Sequence, residues 1–168
     1  MIQIAGIVND SIVDGPGLRI CIFTQGCDKS CKGCHNPESQ LLTGGEAYTA
    51  DDLFEKIKRN PLLSGVTLSG GEPLIQAKEL IPLAEFIKET DLDIALYTGD
   101  TFEQILEKND SDVLKLLSLC DTLIDGPFII AEKSLTLNFR GSRNQRILDC
   151  QKSIKMKQAV QTEDPNWG

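Results

Sequence analysis

The feature that most constrains the fold is an alternation of short apolar segments with longer segments of helical spacing. Runs rich in β-branched residues predict four strands, at residues 18–24, 65–68, 93–97 and 122–124. Apolar residues at intervals of three and four predict helices between and after them, at residues 52–59, 74–89, 101–107 and 112–119. Strands that alternate with helices form a mainly parallel sheet, so we expect an α/β fold.

Each predicted strand runs directly into a polar segment that contains glycine or cysteine. The first strand leads into a cysteine-bearing loop at residues 25–38. The next three strands lead into segments that contain Gly70, Gly71, Glu72, Thr98, Gly99 and Asp125. Because the carboxyl ends of parallel strands meet at one edge, where α/β folds bind their ligands, we expect these segments to converge there.

The length of 168 residues suits one domain with its own hydrophobic core. We predict a single domain over residues 1–168, with a core at about 14–150 and a C-terminal tail at about 151–168. Two further strands are predicted near the tail, at 135–139 and 145–148. The last residues, 161–168, are polar and are expected to be mobile.

Charge and hydropathy narrow the class of function. The formal net charge of −8 argues against nucleic acid as a partner, which would require a basic surface. Apolar runs fall short of the roughly 18–20 residues that cross a bilayer. The first residues lack the basic and apolar regions of a signal peptide. We therefore expect a cytoplasmic protein with no membrane partner.

Three of the six cysteines, Cys27, Cys31 and Cys34, lie within eight residues in a C-x3-C-x2-C spacing. Three thiolates this close can bind three irons of a cubane cluster. Because no fourth cysteine lies nearby in the sequence, the fourth iron would keep an open position for a ligand. We expect the remaining cysteines to be buried structural residues, namely Cys21, Cys120 and Cys150.

The same segment admits other interpretations. Cys27, Cys31, Cys34 and His35 could form a Cys3His zinc site, although adjacent Cys34 and His35 are awkward ligands for one tetrahedral ion. The C-x-x-C-H spacing that ends at His35 also matches the attachment site of c-type haem, which would leave Cys27 unexplained. A loop of three free thiols is the remaining alternative.

The motifs together resemble the activating enzymes of glycyl-radical enzymes, members of the radical S-adenosylmethionine superfamily. The resemblance extends over nearly the whole chain and rests on residues 14–19, 23–27, 34–38, 69–73, 97–99, 125–128 and 139–147. The segment 139–147 and the short chain are similar to the activating proteins of anaerobic ribonucleoside-triphosphate reductase. The activating enzymes of pyruvate formate-lyase share the first half of the pattern but are longer.

This resemblance implies an incomplete TIM-like barrel of mainly parallel strands, of the radical S-adenosylmethionine type. It implies a [4Fe–4S] cluster on Cys27, Cys31 and Cys34 that reductively cleaves bound S-adenosylmethionine. Gly33 stands where many members carry an aromatic residue against the adenine, and His35 is the candidate for that contact. The other implied cofactor contacts are Gly70, Gly71, Glu72, Thr98, Gly99 and Asp125.

The implied product is a glycyl radical on a partner enzyme, which the resemblance identifies as anaerobic ribonucleotide reductase, with a flavodoxin-like electron donor. A short barrel leaves an open side for a loop of that partner. One alternative is the activation of another glycyl-radical enzyme, such as pyruvate formate-lyase. Others are a radical enzyme acting on a small molecule, and a non-catalytic iron–sulfur electron carrier or zinc module.

Overall fold

The computed structural model describes residues 1–27 and 44–167, which form one sheet with helices on one of its faces. The sheet has seven strands: β1 (Ile2–Ser11), β2 (Arg19–Thr24), β3 (Glu46–Tyr48), β4 (Gly65–Gly70), β5 (Asp93–Tyr97), β6 (Thr122–Asp125) and β7 (Arg146–Asp149). Five α-helices accompany it: α1 (Ala50–Lys58), α2 (Ala77–Lys88), α3 (Phe102–Lys108), α4 (Ser111–Ser118) and α5 (Cys150–Met156).

The strand order is β3-β1-β2-β4-β5-β6-β7. The four central strands, β2, β4, β5 and β6, run parallel to one another. Antiparallel strands extend the sheet on both sides, because β1 pairs with β2, β3 with β1 and β7 with β6. The predicted α/β class with a parallel centre is confirmed, and the sheet formed by residues 1–27 and 44–167 is open, with β3 and β7 at its edges.

Local sequence explains where the helices begin. Thr49 accepts a hydrogen bond from the Asp52 amide and the Asp52 carboxylate accepts one from Thr49, a capping box that starts α1. Thr101 and Gln104 start α3 in the same way. The predicted helix at 74–89 is divided, because a 3₁₀ turn at Pro73–Gln76 precedes α2. None of the described helices has the length and apolar character required to cross a bilayer.

Alternate residues of the strands divide the sheet into two faces. On the helix-covered face, buried aliphatic side chains form the main core with the helices, including Ile20, Ile22, Val66, Leu68, Ile94, Leu96, Leu123 and Leu148. The opposite face carries polar residues together with a smaller apolar cluster, which contains Ala95, Ile124 and Ile147. Cys21, Thr67 and Tyr97 belong to this second face.

Arg19 fastens the amino-terminal ends of three parallel strands from this second face. Its side chain is 0% exposed. Nη1 and Nη2 each donate to the Asp93 carboxylate at 2.9 Å, and Nε donates to the Thr67 hydroxyl at 2.8 Å. The guanidinium therefore connects β2, β4 and β5 at the edge opposite the strand ends where ligands are expected.

The C-terminal segment is packed against the sheet, so the prediction of a mobile terminus is wrong. Trp167 is only 3% exposed and joins a small cluster that contains Ile124 and Ile147. Its ring meets Phe139 edge-on, with the centroids 5.2 Å apart, and the Arg19 guanidinium lies 5.8 Å from its centroid. Burial of the Trp167 ring thus attaches this segment to the sheet, although the residues around Trp167 are polar.

Candidate metal and cofactor site

Backbone hydrogen bonds bring the ends of the four parallel strands together at the carboxyl edge. The Gly71 amide donates to the Thr24 carbonyl at 2.9 Å, and the Glu72 amide donates to the Gly26 carbonyl at 2.7 Å. The Thr98 amide donates to the Ile124 carbonyl at 3.0 Å, connecting the ends of β5 and β6. The predicted convergence of the strand-end segments is therefore confirmed for the described residues.

Glu72 joins the segments that follow β4 and β5. Its side chain is buried, and its Oε1 accepts a hydrogen bond from the Thr98 hydroxyl at 2.8 Å. Oε2 accepts one from the Gly99 amide at 2.7 Å, and Oε1 also accepts from the Leu74 amide at 3.3 Å. Burial nevertheless dominates, and it raises the pKa of this carboxyl from 4.5 to about 7. Three of the predicted cofactor contacts, Glu72, Thr98 and Gly99, are thereby joined by hydrogen bonds.

The raised pKa of Glu72 predicts a pH-dependent stability. The carboxyl binds its proton more tightly in the folded chain, so its contribution to stability is greatest below about pH 4.5 and falls as the pH rises to about 7. The Glu72→Gln variant carries a neutral amide at every pH. We expect the stability of the wild type relative to this variant to fall across that interval, as measured by urea unfolding. A pH-independent difference would contradict the raised pKa.

Gly70 is required by the fold itself. Its φ is +105°, and a Cβ there would lie 2.3 Å from the Thr24 nitrogen and 2.6 Å from the Phe23 carbonyl carbon. These are backbone atoms of the neighbouring strand, which cannot move aside as a flexible side chain does. The structure thus gives a reason for glycine at position 70 that does not involve a ligand.

Gly70→Ala is therefore expected to destabilise the protein more than Gly44→Ala. Both glycines have a positive φ, +105° and +99°, but a Cβ at Gly44 would meet no described atom within 4 Å. The shared backbone strain costs about 1–3 kcal/mol in each variant, and only Gly70→Ala adds the collision with β2. Thermal unfolding of the two variants measures the difference. Equal losses of stability would contradict the close approach of β2.

Asp125 is buried at the end of β6 and has protein partners on both oxygens. Oδ1 accepts from Arg146 Nε at 3.0 Å, and Oδ2 accepts from the Phe102 amide at 2.8 Å and from Arg146 Nη2. Arg146 also pairs with Glu103 at 2.6 Å. These carboxylates raise the pKa of Arg146 and keep it charged. Asp125 thus holds the start of α3 against β7, a role that the sequence analysis did not assign.

Cys27 lies three residues beyond the end of β2, at the carboxyl edge of the sheet, and is half-buried. It follows Gly26, whose carbonyl accepts the hydrogen bond from Glu72. The other predicted cluster ligands, Cys31 and Cys34, and the predicted adenine contact, His35, lie outside the described residues. Within residues 1–27 and 44–167, no three His, Cys, Asp or Glu side chains are grouped as metal ligands.

The other three cysteines occupy the interior, as predicted. Cys21, Cys120 and Cys150 are all buried. The thiols of Cys120 and Cys150 donate to the carbonyls of Leu116 and Leu117 at 3.4 and 3.2 Å. Burial raises the pKa of all three thiols, that of Cys150 to about 12. They therefore stay protonated at neutral pH, unlike thiolate ligands of a metal.

Comparison with known proteins supplies the family. Residues 13–148 match the family described as "4Fe-4S single cluster domain", which is more than half of the chain. The chain belongs to this iron–sulfur family. Within the matched region lie Cys27, Cys31 and Cys34.

Curated relatives refine this assignment. The anaerobic ribonucleoside-triphosphate reductase-activating protein of Vibrio cholerae is 36% identical over 148 residues, which cover 81% of this chain and 90% of the relative. The protein of the same name from Enterobacteria phage T4 is 34% identical, over 80% of this chain and 86% of the relative. The resemblance to reductase-activating proteins is therefore confirmed.

A longer relative shares the same region. The pyruvate formate-lyase-activating enzyme of Clostridium pasteurianum is 38% identical over 128 residues, 71% of this chain. The chain spans only 54% of that enzyme's length. Identity thus does not separate the two kinds of activating protein, because both are similar to this chain at 34–38%.

Proposed function

We propose that this chain is a radical S-adenosylmethionine enzyme that generates a glycyl radical on an anaerobic ribonucleoside-triphosphate reductase. The observation that carries the proposal is the carboxyl edge, where Gly26, the residue before Cys27, accepts a hydrogen bond from the Glu72 amide at the end of β4. Membership of the 4Fe-4S family and the 36% identity to the Vibrio cholerae reductase-activating protein support the same conclusion. The longer pyruvate formate-lyase-activating enzyme supports a second candidate, with the same chemistry on a different partner.

Cys27, Cys31 and Cys34 are proposed as the ligands of a [4Fe–4S] cluster. The donor set fits this group, because thiolates are the usual ligands of iron–sulfur clusters. Cys27 is half-buried at an edge lined by backbone groups, whereas Cys21, Cys120 and Cys150 are enclosed in the interior. When bound, the cluster would supply the electron for the reductive cleavage of S-adenosylmethionine.

The strand-end segments are proposed to hold S-adenosylmethionine beside that cluster. We assign Gly71, Thr98, Gly99 and His35 to direct contact with the cofactor. Glu72 is assigned to positioning, because its carboxylate orients the Gly99 amide and the Thr98 hydroxyl. Gly70 and Asp125 are also assigned indirect roles. Gly70 allows β2 to approach closely, and Asp125 forms the ion pair with Arg146.

The open sheet supports a protein as the substrate. The finer fold assignment, an incomplete barrel of the radical S-adenosylmethionine type in a single domain over residues 1–168, belongs to this proposal. In such a barrel the second face of the sheet would line the interior, and the edges β3 and β7, which are not paired with each other in the described residues, would leave room for a loop of the partner. We further propose a flavodoxin-like electron donor and a cytoplasmic setting.

The proposal is tested by reconstituting the protein with iron and sulfide in the absence of oxygen. Because S-adenosylmethionine would bind the open iron, it should change the electron paramagnetic resonance spectrum of the reduced cluster. Dithionite as the reductant keeps the result independent of the natural donor. A cluster whose spectrum is indifferent to S-adenosylmethionine would favour an electron carrier and contradict the proposal, as would a stably bound zinc ion in place of iron.

A further inference from the structure

Arg140 lies in the segment that leads into β7, beside the carboxyl ends of β5 and β6. Its Nη1 donates to the Gln145 carbonyl at 3.0 Å. The Gln145 side chain in turn donates from Nε2 to the Gly126 carbonyl at 3.1 Å, one residue beyond the end of β6. The guanidinium is thus attached, through one intermediate residue, to the edge that carries the proposed cofactor site.

The backbone on both sides of Arg140 is held by hydrogen bonds. Gln145 Oε1 accepts hydrogen bonds from the Gly141 amide at 2.8 Å and from the Ser142 amide at 3.2 Å. On the other side, Phe139 has a φ of +60°, an unusual conformation for an aromatic residue. The Tyr97 hydroxyl holds it there by donating to the Phe139 carbonyl at 2.7 Å. Backbone strain of this kind is often retained at functional sites.

Arg140 has a buried donor that the described residues leave unsatisfied. Its Nε is inaccessible to solvent and has no hydrogen-bond partner within residues 1–27 and 44–167. A buried donor without an acceptor is destabilising, so such a group calls for a partner. In the other two buried or half-buried arginines of the sheet ends, Nε has an acceptor: that of Arg19 donates to the Thr67 hydroxyl, and that of Arg146 donates to the Asp125 carboxylate.

Arg146 shows which acceptor suits the edge of a guanidinium that is formed by Nε and Nη2. It uses Nε and Nη2 together to hold the two oxygens of the Asp125 carboxylate. Arg140 is anchored through Nη1, and the opposite edge of its guanidinium, formed by Nε and Nη2, makes no hydrogen bond to the described residues. A carboxylate matches that side in shape and charge, because two parallel N–H groups bind its two oxygens.

We propose that Arg140 is a carboxylate-binding residue of the site at the carboxyl edge. The inference rests on the proposed function, which brings two carboxylate-bearing molecules to this edge: S-adenosylmethionine, through its methionine part, and the reductase polypeptide, through an acidic side chain or its terminus. Both present the same chemistry to the guanidinium. The inference adds a specificity-determining residue that the strand-end motifs do not include.

The test compares Arg140→Gln and Arg140→Lys with Arg143→Gln, a control on an exposed arginine of the same segment. Binding is measured without oxygen on cluster-containing protein, which separates the result from turnover. Equilibrium dialysis gives the affinities for S-adenosylmethionine and for its decarboxylated analogue, and a sedimentation or surface-binding assay gives the affinity for the reductase. Thermal melts establish that each variant is folded.

Loss of a charge-assisted hydrogen-bonded pair should weaken binding of the carboxylate-bearing molecule about 10- to 100-fold in Arg140→Gln. Arg140→Lys should recover only part of this, because a lysine has no planar pair of donors. If the cofactor is the source, the variant loses affinity for S-adenosylmethionine but not for the decarboxylated analogue. If the polypeptide is the source, only the affinity for the reductase falls.

Three results would overturn the inference. Wild-type affinities in Arg140→Gln for both molecules would show that Arg140 binds neither carboxylate. Full recovery by Arg140→Lys, or an equal loss in Arg143→Gln, would show that only the local positive charge matters. A wild-type protein that binds neither S-adenosylmethionine nor the reductase would overturn the proposed function together with this inference, and that outcome is visible before any variant is compared.

Discussion

Replacement of Cys27 by alanine is expected to abolish the iron–sulfur cluster and, with it, all cofactor cleavage. The proposed set has only three protein ligands, so losing one leaves a cubane with two open irons, which would not be retained. Iron and sulfide content should fall from about four of each per chain towards zero after anaerobic reconstitution. Cys31→Ala and Cys34→Ala are expected to behave in the same way.

Cys120→Ala is the matched control. Its thiol is buried and donates a hydrogen bond to the Leu116 carbonyl. It is therefore not available as a thiolate ligand. This variant should lose some stability, as expected when a buried side chain is truncated, but it should retain the full iron content. Retention of a four-iron cluster by Cys27→Ala, or its loss from Cys120→Ala, would show that the ligands have been assigned wrongly.

A large loss of stability is expected from Asp93→Asn. The carboxylate of Asp93 neutralises Arg19, whose side chain is fully buried and has no other acidic partner among its described hydrogen bonds. Removing the charge leaves a buried guanidinium uncompensated. Because the Asp93 side chain is 36% exposed and water relieves part of the cost, we expect the lower end of the usual range, about 3 kcal/mol.

Urea unfolding measures this loss, and Asp91→Asn provides the control. Asp91 lies two residues earlier on the same approach to β5 and is exposed, so its replacement should change the free energy of unfolding by less than about 0.5 kcal/mol. Similar losses in the two variants would mean that the ion pair between Arg19 and Asp93 contributes little. Iron content should be normal in folded Asp93→Asn, since Arg19 lies at the opposite edge of the sheet.

Sequence periodicity predicted the parallel centre of the sheet because those strands are apolar and regular. It missed β1 for a physical reason: the pairing of β1 with β2 shifts register between Ile4 and Gly6 and again between Val8 and Ser11. These irregularities break the two-residue alternation that marks a half-buried strand. The strand β3 has only three residues, too few for any periodic pattern.

In the segment before β7, the sequence predicted a strand that the structure does not contain. A strand was predicted at 135–139, yet Leu135 is 91% exposed and the positive φ of Phe139 is incompatible with extended backbone. The prediction of a strand at 145–148 is confirmed by β7, within one residue. The helix α5 was missed; it has seven residues and begins at Cys150, after the N-cap Asp149, whose side chain accepts a hydrogen bond from the Lys152 amide.

The sequence located the residues of the candidate site better than it described their partners. The strand-end rule placed Glu72, Thr98 and Asp125 at one edge without any knowledge of contacts. It could not show that Glu72 binds Gly99, 27 residues away, or that Asp125 binds Arg146, 21 residues away. Such pairs depend on tertiary structure, and local spacing carries no signal for them.

One measurement tests the central claim most directly. Reduced protein, S-adenosylmethionine and anaerobic ribonucleoside-triphosphate reductase are incubated without oxygen, and electron paramagnetic resonance is recorded on the reductase. We predict a glycyl doublet there, with 5′-deoxyadenosine and methionine formed alongside it. A doublet only on pyruvate formate-lyase in a parallel incubation would contradict the choice of partner. Cleavage of S-adenosylmethionine coupled to a small metabolite, with no radical on any protein, would contradict the account as a whole.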